Sequence, residues 1–313
     1  MRDIRWKLVS VAVAAAALAL TPSAASAAAS PPSWMGNIPG LASVAPDETP
    51  AAAPVRLEGC TQTLDLFRDE PDRVRQFVPA RYELGHNAYF GPGSATIFAS
   101  VLACDRATVE RRPAAPLLLA MVGAQVRSGP TAGDGVGDAM WDAYNRSTLN
   151  FLPSSSWYLM TAQTNNADVA AYLGRSGLKV ESVPGLTFQT QYFGTAKSDR
   201  AEVPSAVSPW RAETTTMFPD CCFVHNHDFL FWQDGPQGPA TFLQHLHSMI
   251  DSSCGYQAHA AVHTLQPGCG GKVDVEPGST LANFLGGSSR ETSMVFNHPD
   301  SRASGYLTLP THR

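Results

Sequence analysis

Between Cys221 and Cys269 stand Cys221, Cys222, Cys254 and Cys269 with His225, His227, His245, His247, His259 and His263, most of the thiols and imidazoles in 313 residues. Imidazole is the usual general base and metal ligand near neutral pH. Two strand-like runs, Phe223 to Trp232 and Thr241 to Met249, flank a turn-rich link at 233–239 (QDGPQGP). A hairpin centred on Pro236 puts His227 opposite His245 and His225 opposite His247. Opposed residues and residues two apart share a face of the ribbon, so four imidazoles would crowd into one patch bordered by Phe223, Phe229, Phe231, Leu243 and Met249. Such a patch suits Zn, Cu, Mn or Fe, or an acid and base around a bound ligand. The plain alternative is structural, with the rings stacked and bonded to backbone carbonyls. A slip of one residue would send one pair to the other face. His259 and His263 lack the glutamate of a zinc-protease helix and read as structural positions on a strand at 258–265.

The six cysteines are an even number, which in an exported chain points to disulfides. Cys60 and Cys104 lie apart from the rest and are expected to pair. A bridge between adjacent Cys221 and Cys222 is strained, so one bond each to Cys254 and Cys269 is expected. Zinc ligation competes, although no CxxC spacing is present.

Export is read from the first 27 residues. Arg2, Arg5 and Lys7 precede an apolar run from Leu8 to Leu20, and Ala25-Ser26-Ala27 offers a small-residue cleavage site. The run is short for a membrane span, and no later stretch is long and apolar enough, so no membrane span is expected after cleavage. The formal charge of −5 becomes about −7 once a leader with three cations and one anion is removed. No basic stripe is present, which argues against nucleic acid or anionic lipid as partner. Scarce lysine with abundant Ala, Gly and Pro suits a high-GC bacterial source. Residues 28–56 are Ala- and Pro-rich and read as a flexible tether; residues 57–313 read as one β-rich domain.

The elements that must position these side chains are mainly strands. Besides the histidine runs, Ser94 to Cys104, Leu117 to Val126, Trp157 to Thr164, Leu186 to Phe193, Trp210 to Phe218 and Ala258 to Leu265 are apolar or alternating and separated by Gly, Pro and Asp. Three short helices are expected: one capped by Asp69 with Pro71 in its first turn, one capped by Asn166 and stopped by Gly177, one capped by Ser279 and closed by Gly286. The class is α+β: a predominantly antiparallel, barrel- or cone-like sheet with three short covering helices. No GxSxG elbow or phosphate loop occurs. The run Gly129 to Gly137 reads as a surface loop, and Asp134, Asp138 and Asp142 lack EF-hand spacing.

Two stretches resemble the acetoacetate decarboxylase superfamily. One is Asp72-Arg73-Val74-Arg75-Gln76-Phe77-Val78-Pro79-Ala80-Arg81-Tyr82-Glu83-Leu84 with the strand that follows; the other is Asn166 to Phe188. Secreted actinobacterial proteins are similar in both places. The resemblance implies a barrel or cone with an interior pocket for a small organic acid. It also implies a Schiff-base lysine whose pKa is lowered by a neighbouring lysine and an apolar site. This chain has no paired lysines, and Lys179, Lys197 and Lys272 each read as solvated surface charges. The implied fold therefore carries over and the decarboxylase chemistry does not, leaving imidazole acid–base chemistry as the expectation for an enzyme of lyase or isomerase type. His225-Asn226-His227 also matches the HxH element of the cupins, which makes a metal-dependent oxygenase or isomerase the alternative. A non-catalytic cell-envelope or interaction protein is the third reading.

Overall fold

The computed structural model describes residues 53–85, 90, 93–127, 154–193, 196–217, 223–254 and 269–309. In chain order the elements are β1 (Val55–Asp69), α1 (Pro71–Arg75), β2 (Ala95–Val109), β3 (Ala115–Val126), β4 (Ser154–Thr164), α2 (Ala167–Gly174), β5 (Glu181–Ser182) and β6 (Thr187–Phe193). They continue with β7 (Ala196–Val203), β8 (Trp210–Met217), β9 (Phe223–Gly235), β10 (Gly238–Cys254), β11 (Gly270–Val275), α3 (Thr280–Leu285), β12 (Ser289–Glu291) and β13 (Met294–Thr308).

Seven strands close into a barrel in the order β3-β2-β1-β13-β10-β9-β4, with β4 returning to β3. Every pairing around it is antiparallel except β4 with β9, which is parallel. Closure removes the exposed edges an open sheet would present. A second, antiparallel sheet runs β12-β11-β8-β7-β6. The α+β, barrel-like class with three short helices is thus what the described residues form.

Alternation along the strands divides the core in two. Leu64, Leu66, Phe98, Leu102, Trp157, Phe229, Phe231 and Phe242 point into the barrel. Phe67, Ile97, Ala99, Val101, Val122, Leu230 and Trp232 point outward, where they meet Ala201, Val203, Trp210, Ala212 and Val273 of the second sheet and Leu281 and Phe284 of α3. Among the described residues, aromatic side chains pack the barrel interior. Phe98 packs on Trp157 with centroids 4.6 Å apart, and Phe231 stacks on Phe242 at 4.9 Å. A short polar run crosses this apolar interior: Gln244 Nε2 donates to Gln62 Oε1 (3.2 Å), and Gln62 Nε2 donates to Ser100 Oγ (3.0 Å).

The helix caps follow the sequence with one correction. The Asn166 side chain accepts from the Asp168 and Val169 amides, and Gly177 takes φ +89° just past the helix. The Ser279 side chain accepts from the Ala282 amide, and Gly286 closes α3 at φ +80°. For α1 the N-cap is Glu70, whose side chain makes no cap bond. Asp69 is drawn away by cations: its carboxylate takes Arg73 and Arg290. Arg73 Nη1 in turn donates to the carbonyls of Asn283 and Phe284, tying α1 to the end of α3.

Cys60 and Cys104 are opposed across β1 and β2 and form a disulfide, as expected. Cys269 is also disulfide-bonded. Cys221, Cys222 and the Cys254 side chain lie outside the described residues, as do the strand expected at 258–265, the loop at 129–137 and its aspartates.

Candidate functional site

The histidine ribbon folds, but not about Pro236. Gly235 pairs with Gly238, so the connection is the two-residue turn Pro236–Gln237. Its axis falls between those residues rather than on the proline. That half-step shifts the pairing by one residue: His245 lies opposite Asp228, and His227 opposite Leu246. The register then slips between Leu246 and Met249, which places His225 opposite Met249 rather than His247. The expected pairs His227/His245 and His225/His247 are therefore not formed. The side chains of His225 and His227 lie outside the described residues. Among those described, no group of three or more His, Cys, Asp or Glu side chains is arranged to hold a metal ion.

His245 and His247 sit on the outward side of β10, buried between barrel and surroundings. The His245 ring shares a 2.7 Å hydrogen bond between Nδ1 and Asp228 Oδ1 and stacks on Tyr306 at 4.9 Å. With Nδ1–H donated to the carboxylate, Nε2 holds the lone pair, and no described group bonds to it; His247 Nδ1 is likewise unpartnered.

The densest buried chemistry lies elsewhere, between the outer face of β1 and the second sheet. Lys197 is buried at 1 % exposure, against the expectation of a solvated surface charge. Its place follows from alternation along β7, where Lys197, Asp199, Ala201 and Val203 share the inward face. The ammonium Nζ lies 2.8 Å from Asp199 Oδ2 and donates to Thr61 Oγ1 at 3.4 Å. Asp199 also accepts from Thr63 Oγ1 (3.0 Å) and Thr190 Oγ1 (2.6 Å), so β1, β6 and β7 all meet at one carboxylate. Burial pulls the Lys197 pKa down, since a dry site disfavours the charged form, and Asp199 opposes that shift without reversing it.

One step along β1, Asp65 is also fully buried. Thr214 Oγ1 donates to it at 2.9 Å, and Thr214 stands opposite Asp199 in the β7–β8 register. Loss of hydration pushes the Asp65 carboxyl up to about 8, outweighing the Thr214 bond that lowers it, and the nearby Asp199 charge raises it further. The Asp65 carboxyl is thus held toward its protonated, uncharged form. Gly271 on β11 makes room for it: a Cβ there would meet Asp65 Oδ1 at 2.5 Å. A small cavity opens beside the two carboxyl groups, walled by Thr63, Asp65, Asp199 and Thr214 on one side and by Ala99, Val101, Ala201, Ala212, Phe188 and Trp210 on the other. The space open to a water centre is about 10 Å³, enough for one water or a methyl-sized group.

Sequence reading missed Lys197, Asp199 and Asp65. A signal was present in the alternation of 196–203, where Ala201 and Val203 mark the buried side that Lys197 and Asp199 extend. A nucleophilic amine, an anion to hold or take its proton, and a neutral acid within one dry layer can form and break a bond between nitrogen and a carbonyl carbon.

No protein-family model matches the chain, and no curated protein matches it in sequence. Among solved structures the chain is similar to acetoacetate decarboxylase, at 10 % identity over 84 % of this chain and 91 % of that one, with a TM-score of 0.41. It is similar to an acetoacetate decarboxylase-like enzyme from Sphingomonas wittichii RW1, at 11 % identity over 84 % and 94 % of the two chains, with a TM-score of 0.43. It is also similar to the enduracididine biosynthesis enzyme MppR, whose structure holds the condensation product of pyruvate and imidazole 4-carboxaldehyde, at 11 % identity over 84 % and 92 %, with a TM-score of 0.39. The likeness to acetoacetate decarboxylase-like structures is thus weak in score and broad in coverage.

Proposed function

We propose that this is an exported protein that binds a small carbonyl compound through the Lys197 amine, in the manner of a lyase or isomerase. The observation that carries the proposal is the burial of that amine at 1 % exposure, 2.8 Å from Asp199 and in hydrogen-bond contact with Thr61. A lysine so placed costs free energy to keep charged, and the same cost lowers the barrier to freeing its lone pair.

The chemistry runs as follows. Asp199 takes a proton from Lys197, and the freed amine attacks the carbonyl carbon while the carbonyl oxygen takes that proton from Asp199. The new ammonium returns a proton to Asp199, giving a neutral carbinolamine. Asp199 then hands its proton to the hydroxyl, water leaves, and a protonated imine remains. The net change is ammonium plus carbonyl to iminium plus water. Because the positive charge is conserved, the Asp199 carboxylate never stands alone in a dry layer, the situation that burial penalises most.

The test is reductive trapping. The intact protein is incubated with acetone, acetaldehyde, pyruvate or acetoacetate in the presence of cyanoborohydride, then digested and mapped. An alkyl adduct on Lys197, absent from Lys197→Met, supports the reading. Adducts confined to Lys179, Lys272 and the N-terminal amine would overturn it.

The folded unit carrying this site is taken to be the domain at 57–313, reached through the tether at 28–56 once the leader is removed. Fractionating a bacterial host that expresses the full chain tests export: mature protein in the periplasm or medium, starting after Ala27, is the expected result.

A further inference from the structure

Resting on the imine reading above, we infer that Thr190 is a positioning residue for this site, whose hydroxyl holds Asp199 as the anion and so keeps the shared proton on Lys197.

The argument is a count of donors. Asp199 stands between two threonines of the second sheet, opposite Thr190 on β6 and opposite Thr214 on β8. A threonine hydroxyl has one proton to give. Thr214 gives its proton to Asp65 at 2.9 Å, and Thr190 gives its proton to Asp199 Oδ1 at 2.6 Å. The other oxygen, Asp199 Oδ2, takes Thr63 Oγ1 at 3.0 Å and Lys197 Nζ at 2.8 Å. Two hydroxyls and an ammonium thus converge on Asp199, and hydrogen bonds donated to a carboxylate favour its charged form. Asp65, served by the Thr214 hydroxyl, is the carboxyl held toward its protonated form.

Lys197 and Asp199 share one proton, which can rest as ammonium and carboxylate or as amine and acid. In a dry layer neither charge is hydrated, so the neutral form competes with the ion pair. The nucleophilic lone pair exists in the neutral form alone. Whatever stabilises the carboxylate therefore restrains the amine. Of the two hydroxyls, that of Thr190 is the more separable. Thr63 is buried in the barrel wall, whereas Thr190 is half-buried on β6, the last strand of its sheet. Valine keeps the shape of that side chain and suits a strand. Among the described residues, the titratable groups brought to this layer are Lys197 on β7, Asp65 on β1 and Tyr192 on β6, which stands opposite Lys197; β8 contributes Thr214 and Thr216.

The experiment is reductive trapping with acetone on the intact wild type, Thr190→Val and Thr190→Ser, from about pH 6 to about pH 9, with adducts at Lys179 and Lys272 as internal standards. Thr190→Val should be trapped at Lys197 about three- to tenfold faster than the wild type at neutral pH. Its rate should also rise less steeply with pH, because transfer to Asp199, rather than loss of a proton to solvent, frees the amine. Thr190→Ser restores the hydroxyl and should behave as the wild type. Mere loosening of β6 would instead give the steep pH dependence of an exposed lysine, which overturns the inference. So does trapping at Lys197 that is equal or slower in Thr190→Val, or a gain that Thr190→Ser does not reverse; in each case the imine reading stands. No adduct at Lys197 in any of the three proteins removes both.

Discussion

The buried pair Lys197–Asp199 and the neighbouring Asp65 make different demands on pH. Burial pushes the Asp65 carboxyl from its ordinary value of 3.8 up to about 8, so the folded state holds the extra proton between those values. Stability therefore falls as pH rises through that window, with a slope approaching about 1.4 kcal/mol per pH unit from this one group. We expect Asp65→Asn, an uncharged isostere, to flatten the fall in denaturant midpoint between pH 5 and 8; an unchanged slope would mean that Asp65 ionises freely. Lys197→Met should cost about 3–5 kcal/mol, because it removes the ammonium that balances the buried Asp199 charge. Adding Asp199→Asn should restore most of that loss, which a urea titration of the three variants would show. At the other cluster, Asp228→Asn replaces an acceptor with an amide. It removes the carboxylate that fixes the Nδ1–H tautomer of His245, and should move the His245 ring nitrogen resonances in a heteronuclear NMR spectrum at fixed pH while leaving those of His247 in place.

At the level of elements, the reading from sequence succeeded where local physics decides and failed where register decides. The Asn166 cap was legible because the side chain, the helix start and Gly177 lie within a dozen residues. Asn166→Ala should cost about 1 kcal/mol, measurable as a lowered denaturant midpoint. The strand from Ala196 to Val203 was not legible as a strand. Its charged composition masks a two-residue alternation whose buried side includes a lysine and an aspartate, and only the opposing β1 threonines make that burial tolerable. The histidine ribbon shows the third case: both strands were evident, but choosing between a turn on Pro236 and one on Pro236–Gln237 decides every facing pair. Composition cannot make that choice, because both turns use the same residues. Asp69 was misassigned as a cap for a related reason, since its partner Arg290 is distant in sequence and invisible to local rules.

For the molecule as a whole, the barrel was anticipated and its contents were not. Among the described residues, aromatic side chains pack inside the barrel, and a cavity is found between its outer wall and the second sheet. The disulfide between Cys60 and Cys104 staples two neighbouring barrel strands across a sequence separation of 44. Chain-entropy reasoning assigns such a loop about 4 kcal/mol. The Cys60→Ser/Cys104→Ser variant should lose about that much and melt well below the wild type under non-reducing conditions, whereas an unchanged melting temperature would show that the barrel closes without the staple.

The parallel seam that seals the barrel, β4 against β9, has a consequence for how this chain reaches its native state. All of α2 and β5 to β8 is strung between those two strands, so the segment that supplies Lys197 is also the strap that must be thrown over the wall before the hoop can be sealed. Long-range joins of this kind are slow, because closure entropy is spent before the contacts repay it. Until the seam zips, one edge of β4 and one edge of β9 stay open as templates on which another copy can polymerise. Refolding yield should therefore drop with protein concentration more steeply than the thermodynamic stability alone would suggest.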